Sequence, residues 1–277
     1  DSRHGRRKGR HVGFPRFKGK DKATPKFSYT TGAFGLVDDD PKALKLPRIG
    51  RVHCMEDVAR RIGGAKVLRM SVSFHAGRWY ASLTVERPDG PKPMNQPNTS
   101  VGIDLGIKEL ATLSDGTVFH NPHTLAANEK RLARGQRKLA RKQSGSKRRA
   151  RQRKRVTKLY ARVSSQRRDA LHKITTYVAR TYSDVSIEDL NVAGMVKNHR
   201  LAKAVEDASF GEFRRQLTYK CERNGVALHV IDRWYPSSKT CSACGSVKAK
   251  LSLGERTFVC PDCGTVLDRD LNAAINI

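Results

Sequence analysis

Cys241-Ser-Ala-Cys244, Cys260-Pro-Asp-Cys263 and Asp268-Arg-Asp270-Leu-Asn272-Ala-Ala274 follow one another near the end of the chain. Each CxxC places two sulfurs on one tight knuckle. Two knuckles brought together offer four thiolates in a tetrahedron, which suits zinc. Fifteen residues separate the pairs, enough for a hairpin that folds one knuckle onto the other. Gly245 and Gly264 follow the second cysteine of each pair, where a knuckle often needs positive φ. No histidine or water position is implied, so the zinc expected at Cys241, Cys244, Cys260 and Cys263 is structural. A redox pair or disulfides are the competing reading. The acidic run that follows sits at the start of a helix, Leu271-Asn-Ala-Ala-Ile-Asn-Ile277.

Two further acids stand out upstream. Asp104 lies between Ile103 and Leu105 inside the apolar strand Val101-Gly-Ile-Asp-Leu105, and Glu188 ends the strand Val185-Ser-Ile187. A carboxylate in an apolar strand needs a partner. Taken singly, Asp268 or Asp270 could be only the N-cap of the last helix, and Glu188 only a surface residue. Together, Asp104, Glu188 and Asp270 come from separated elements and can converge on a pair of Mg²⁺ ions. Oxygen ligands with open water positions are what Mg²⁺ requires. Two such ions activate a water and stabilise the leaving oxygen of a phosphodiester.

The chain has 277 residues, long enough for two domains and a sizeable core. Lys and Arg number 55 against 26 Asp and Glu, a net charge of +29. Such a charge repels itself without a polyanionic partner, and nucleic acid is the leading candidate. An anionic membrane is the rival. No apolar run approaches the ~20 residues needed to span a bilayer, and the basic stretches lack an amphipathic face bearing large aromatics. Asp1 to Lys26 is basic and has no apolar signal-peptide core. Cys54 and Cys221 lie outside the CxxC pairs. A large basic chain of this kind fits reduced thiols and a cytoplasmic setting.

Residues 1–30 read as an extended basic arm or loop. Val67–Phe74 and Trp79–Val85 alternate as two strands, with Val72 and Phe74 and then Trp79, Ala81, Leu83 and Val85 on one face; His75-Ala-Gly77-Arg supplies the turn. Pro88–Pro97, with four prolines, reads as a linker. Beyond it, Ser100–Ile107 is a strand, and Leu110–Leu113 with Thr117–Phe119 form a hairpin around Asp115-Gly116. Leu125–Tyr182 is helical by its spacing of Leu125, Leu132 and Leu139, then Val156, Leu159 and Val163. Gln143-Ser-Gly145-Ser splits it into two helices. A strand at Asp184–Glu188, a helix at Phe210–Asn224 stopped by Gly225, and a strand at Val226–Ile231 complete an α/β pattern.

Lys130 to Lys158 holds fifteen Lys or Arg and no acid. Neutralising that many charges on a phosphate backbone predicts steeply salt-sensitive binding. The expected phosphate contacts are Arg131, Arg134, Arg141, Arg148, Arg151 and Arg155 here, Arg6, Arg7, Arg10, Arg16 and Lys18 in the first segment, and Lys239 beside the ribbon. Lys248, Lys250 and Arg256 are equally consistent with solvated charges. Trp79, Tyr80 and Tyr235 could stack on bases, although aromatics so placed are more often core. His120 and His123 are read as loop residues and not as metal ligands.

Arg10-x-x-Gly13-Phe-Pro-Arg16-Phe-Lys18, Gly77-Arg-Trp79-Tyr80, Val101-Gly-Ile-Asp104-Leu-Gly106, Ile187-Glu188-Asp-Leu-Asn191 and Tyr235-Pro-Ser-Ser-Lys-Thr-Cys241-Ser-x-Cys-Gly245 resemble the TnpB (OrfB) family of small insertion sequences. So does Cys260-Pro-x-Cys-Gly264 through Asp268-Arg-Asp270-x-Asn-Ala-Ala274. That family is similar to compact type V CRISPR effectors, and the match runs through nearly the whole chain in the family's order. The resemblance implies an RNA-guided DNA endonuclease with a RuvC-like, RNase H-type α/β domain into which the zinc ribbon is inserted. It assigns the catalytic, magnesium-binding carboxylates to Asp104, Glu188 and Asp270. It also implies a guide RNA from the element end and double-stranded target DNA as partners. The expected division is 1–98, a basic β-rich, β-barrel-like (wedge-like) nucleic-acid-binding domain incomplete at its N-terminus, and 99–277, the nuclease. Long basic helices are expected at about 125–182 and the ribbon at about 235–267. A repressor that binds without cutting is the alternative, but its mark would be a lost acid, and all three are present. A strand-transferring transposase would need a way to hold a second DNA end, and no feature is assigned to that.

Overall fold

The structure, a computed structural model, describes residues 6–7, 10–11, 19, 23–30, 34–86, 98–252 and 254–277. The chain divides into two compact units, Asp1–Pro88 and Asp89–Ile277. The proline-rich segment Pro88–Pro97 read as a linker lies outside the described residues.

The first unit is built on strands. β1 (Arg6–Arg7) and β2 (Arg10–His11) form a short antiparallel ladder. β3 (Lys26–Tyr29) is followed by β4 (Gly35–Val37), β5 (Asp40–Leu46), β6 (Gly50–His53), α1 (Val58–Ile62), β7 (Lys66–His75) and β8 (Arg78–Glu86). Two three-stranded sheets result, ordered β3-β7-β8 and β4-β5-β6. Lys26–Tyr29 is thus a strand rather than the loop the basic composition suggested. The expected hairpin is present, with Val72 opposite Ala81 and Phe74 opposite Trp79. Alternation turns Met70 and Val72 inward, where they join Leu44, Leu46, Val58 and Ile62 in a core. Asp57 caps α1 by accepting from the Arg60 N–H, and Gly63 closes it at φ 62°.

The second unit begins with β9 (Ser100–Asp104), β10 (Glu109–Leu113) and β11 (Val118–His120), then α2 (Thr124–Ala140) and α3 (Lys147–Thr181). β12 (Asp184–Glu188), α4 (Val192–Met195), α5 (Ala202–Ala208), α6 (Phe210–Asn224) and β13 (Ala227–Ile231) follow. β14 (Thr257–Val259), β15 (Val266–Asp268) and α7 (Arg269–Asn276) end it. Five strands form one sheet in the order β11-β10-β9-β12-β13. The β9–β10–β11 meander is antiparallel, whereas β9, β12 and β13 run parallel.

α3 and α6 cover one face of this sheet. Leu171, Ile174 and Val178 of α3 and Phe213 and Leu217 of α6 pack with Val101, Ile103, Val185 and Ile187. Each such side chain contributes on the order of 2 kcal/mol by leaving water. Lys220 of α6 enters this packing: its ammonium donates to the His172 carbonyl and to the Thr175 and Thr176 hydroxyls. Burial, with Arg180 nearby, lowers it to about 8.

The two basic helices that the Leu and Val spacing predicted are present, and they pack on each other as a hairpin. Ser146 caps α3 by accepting from the Arg149 N–H, and Gly145 turns at φ 77°. Arg149 is turned inward, donating to the carbonyls of Leu139 and Lys142, so its charge serves the turn. Gln152 reaches the carbonyl of Gly135, whose missing side chain leaves room for Val156. The start of α2 is held from a distance. Asp207 of α5, 6% exposed, accepts from the Leu125 N–H and the Thr124 hydroxyl and pairs with Arg167.

Candidate active site and metal centre

β9 and β12 are parallel with Ser100 beside Asp184 and Ile103 beside Ile187. The same offset sets Asp104 beside Glu188 at the carboxyl ends of the two strands. Neighbouring strands lie ~4.8 Å apart, so the two carboxylates are side by side. Alternation gives Gly102, Asp104, Ser186 and Glu188 one face and the core residues Ile103 and Ile187 the other.

α7 lies on the carboxylate face, and Gly102 is the reason it can. A Cβ on Gly102 would stand 2.1 Å from the Ala274 carbonyl oxygen. Only glycine admits the helix backbone this close to β9. Asp268 is the N-cap of α7, accepting from the N–H groups of Asp270 and Leu271. That leaves Asp270 in the first turn, presented toward the end of β9.

Asp104 senses the other two acids. Burial first, and then the carboxylates of Asp270 and Glu188, push Asp104 up to about 7. Asp270 is not bare: Arg269 donates to its Oδ1 at 2.9 Å and Arg256 lies 3.6 Å from Oδ2. Glu188 accepts from the Ser237 hydroxyl. Asp189, next to it, pairs with Arg214 and Arg233. The Ser237 and arginine contacts carry no sequence spacing that announces them, since they join residues up to 49 positions apart. The donor set is all oxygen and of the hard type that Mg²⁺ prefers. Among the described residues, however, the carboxylates do not make a set of three whose ligand atoms lie within 4.8 Å of one another; the cysteines do.

Those cysteines form the second site. The sulfurs of Cys241 and Cys263, and of Cys244 and Cys260, are 3.6 Å apart. A disulfide needs ~2.05 Å, while four thiolates ~2.3 Å from a zinc ion lie ~3.8 Å from each other. The spacing therefore fits a tetrahedral zinc site. The two knuckles repeat one geometry. Gly245 N–H donates to the Cys241 carbonyl and Gly264 N–H to that of Cys260, with the glycines at φ 77° and 74° as the sequence required. Thr265 holds the Cys263 thiol down at about 6. β14 and β15 pair beneath the knuckles, with Phe258 fully buried against Cys241 and Cys260.

The ribbon is tied to α7. Asn272, fully buried, accepts from the Ser242 N–H at 3.0 Å and donates to the Thr240 carbonyl at 2.7 Å. Asn276, one turn on, donates to the carbonyls of Ser237 and Thr240.

Arg131, Arg134, Arg141, Arg148, Arg151 and Arg155 are all exposed along the helical hairpin, and Lys239 is half-buried beside the ribbon. Arg16 and Lys18 lie outside the described residues, as do the side chains of Arg6, Arg7 and Arg10. Trp79, Tyr80 and Tyr235 are not core residues: they are 57%, 46% and 43% exposed among the described residues, although Trp79 leans on the rings of Phe27 and Phe74. His120 closes β11 rather than a loop and pairs with Glu109, and His123 precedes α2.

A mixed α/β sheet domain with strand-end carboxylates and an adjoining four-cysteine ribbon is the class of protein defined so far. Residues 82–199 match the OrfB_IS605 family model, "Probable transposase", and residues 210–277 match "Cas12f1-like, TNB domain". The chain is 40% identical over 265 residues to the "Putative RNA-guided DNA endonuclease" of Streptomyces pristinaespiralis, covering 95% of this chain and 64% of that protein. It is 32% identical to the "Putative RNA-guided DNA endonuclease InsQ" of Escherichia coli (strain K12), covering 97% of this chain and 68% of that one. Its fold is similar to a chain of the solved Cas12f1–sgRNA–target DNA complex, with a TM-score of 0.57 at 17% identity, over 91% of this chain and 58% of that one. The chain belongs to the TnpB (OrfB) family. It spans about two thirds of the length of the curated relatives it matches. Among the described residues, no helix is long and apolar enough to cross a membrane.

Proposed function

We propose that the protein is an RNA-guided DNA endonuclease of a transposable element, with Asp104, Glu188 and Asp270 as its catalytic carboxylates. The observation that carries this is Asp104. It lies at the end of its strand, pushed up to about 7 by burial and by the charges of Asp270 and Glu188, an arrangement that a bound cation would relieve. A buried acid grouped with other carboxylates where parallel strands end marks a candidate catalytic site in an α/β sheet. Asp104, Glu188 and Asp270 would hold Mg²⁺, which when bound supplies Lewis acidity toward a phosphodiester. The Ser237 hydroxyl fixes the Glu188 carboxylate. Arg256 and Arg269, the cations on Asp270, are placed to balance a phosphate brought to it.

The meander followed by parallel strands supports reading residues 99–277 as a RuvC-like, RNase H-type domain. Residues 1–98 are then a β-barrel-like, wedge-like nucleic-acid-binding domain. Zn²⁺ in the ribbon is structural. The basic hairpin holds a guide RNA–DNA heteroduplex by its backbone, while base pairing supplies sequence.

The test uses the protein co-expressed with RNA from its element's end, incubated with plasmids carrying randomised flanking motifs, with Mg²⁺ or with EDTA. Mg²⁺-dependent linear product confined to guide-matched plasmids is expected. RNA-dependent binding without cutting would refute the nuclease and leave a guided binder.

A further inference from the structure

Trp234 is 83% exposed, far more than the other tryptophan, and among the described residues no aromatic ring packs on it. Single exposed apolar side chains are ordinary. The backbone beneath this one is not. It belongs to the turn that leaves β13, and β13 ends with Ile231 beside Glu188. The turn is pinned on every side. Asp232 accepts from the Trp234 N–H at 2.7 Å through Oδ1, and its carbonyl accepts from Tyr235 at 3.1 Å. Arg233 pairs with Asp189, whose own N–H donates to the Ile231 carbonyl. Ser237, three residues past the indole, donates to Glu188. A large flat side chain is therefore carried into water on a turn whose backbone is hydrogen-bonded on both sides of it. Both neighbours of that turn are fastened to the carboxylates at the sheet end.

Cutting one phosphodiester requires a strand held in register. The net charge of +29 attracts a backbone but, as a diffuse field, lets it slide. Stacking holds register without reading sequence, because every base has a π-face. We propose that Trp234 is a stacking platform for an unpaired base of the DNA strand whose phosphate reaches Asp104, Glu188 and Asp270. The proposal rests on the nuclease reading above and names a contact to substrate within that site.

The chain has two tryptophans, so Trp79→Phe leaves Trp234 as the sole indole reporter. The full-length Trp79→Phe protein is titrated with a short oligothymidylate and with an abasic oligomer of equal length. Mg²⁺ is omitted without adding a chelator, which keeps the ribbon's zinc in place, and salt is high enough to weaken backbone binding. Quenching by the oligothymidylate and not by the abasic oligomer is expected. Adding Trp234→Ala should weaken oligothymidylate binding about 5- to 150-fold, measured by anisotropy, and leave abasic binding unchanged. Trp234→Phe should recover most of the loss. An unchanged melting midpoint in Trp234→Ala excludes unfolding as the cause. Equal quenching by both oligomers, no quenching, or an alanine variant that binds as well as its parent overturns the proposal. Base-dependent quenching in a protein that never cuts would instead refute the nuclease reading and keep the stacking contact.

Discussion

Gly102→Ala tests whether the approach of α7 to β9 builds the site. The new Cβ would lie 2.1 Å from the Ala274 carbonyl oxygen and 3.2 Å from the carbonyl carbons of Ala274 and Ile277. A carbon needs roughly 3.3 Å from an oxygen, so the helix must retreat by roughly 1.2 Å. The obstacle is backbone, and no side chain can rotate away to relieve it. Overpacking of this kind costs about 1–3 kcal/mol, which a domain of this size survives. The consequence for Asp270 is larger, because it rides on the first turn of the displaced helix. A shift of about 1 Å in a catalytic group costs on the order of 100-fold in rate. The expected result is guided cleavage reduced about 100-fold in single-turnover assays, with zinc content and guide binding intact. Wild-type cleavage by a folded Gly102→Ala protein would show that Asp270 does not depend on this contact, and would refute the placement argued here.

Asp270→Ala should abolish cutting and keep nucleic-acid binding in a gel-shift assay; loss of binding would contradict its assigned role. Cys260→Ser should lose zinc by elemental analysis and destabilise the second unit, and a variant retaining its full zinc would sink the ribbon assignment. Asp207→Ala leaves the half-buried Arg167 without its carboxylate and the start of α2 uncapped, so a denaturant titration should show a loss of about 2 kcal/mol. Lys220 is lowered in the folded state to about 8 from 10.5. Between those values the unfolded chain holds a proton that the folded chain lacks, so this group's contribution to stability rises with pH there. Below about pH 8 the full penalty applies, at most on the order of 3 kcal/mol. Lys220→Met should therefore gain on the wild type at pH 7, and the gain should shrink as pH approaches 10.5. A pH-independent difference would contradict the buried-ammonium account.

What the sequence disclosed depended on how few residue types each feature tolerates. The knuckles need cysteines at fixed spacing and glycine at positive φ, and they were legible to the residue. The long helices declared themselves through repeated Leu and Val positions, and Gly225 marked the end of α6 at φ 67°. The β4-β5-β6 sheet gave no such signal: all four residues of β6 are exposed, and β5 opens with Asp-Pro-Lys. The short helices α4 and α5 span 4 and 7 residues, less than two turns of periodicity. In the candidate site, Asp104 and Glu188 were legible as charges in apolar strands and Asp270 as an acid at a helix start. Their supports were not, because Ser237, Arg256 and Asn276 reach their partners only through the fold. Asp207 likewise caps a helix 82 residues away. Trp79 and Tyr80 are consecutive in β8 and point to opposite faces, so alternation could bury only one of them, and both stay partly exposed among the described residues.

Asn272 spends both ends of its amide on the knuckle, and Asn276 repeats the grip one turn later. The ribbon and the last helix are thereby a single transplantable part. A ribbon grafted from a relative, or trimmed to make a smaller protein, must bring its own final helix or be matched to this pair of asparagines. A boundary drawn between Cys263 and Asp268 would cut through the joint and not beside it.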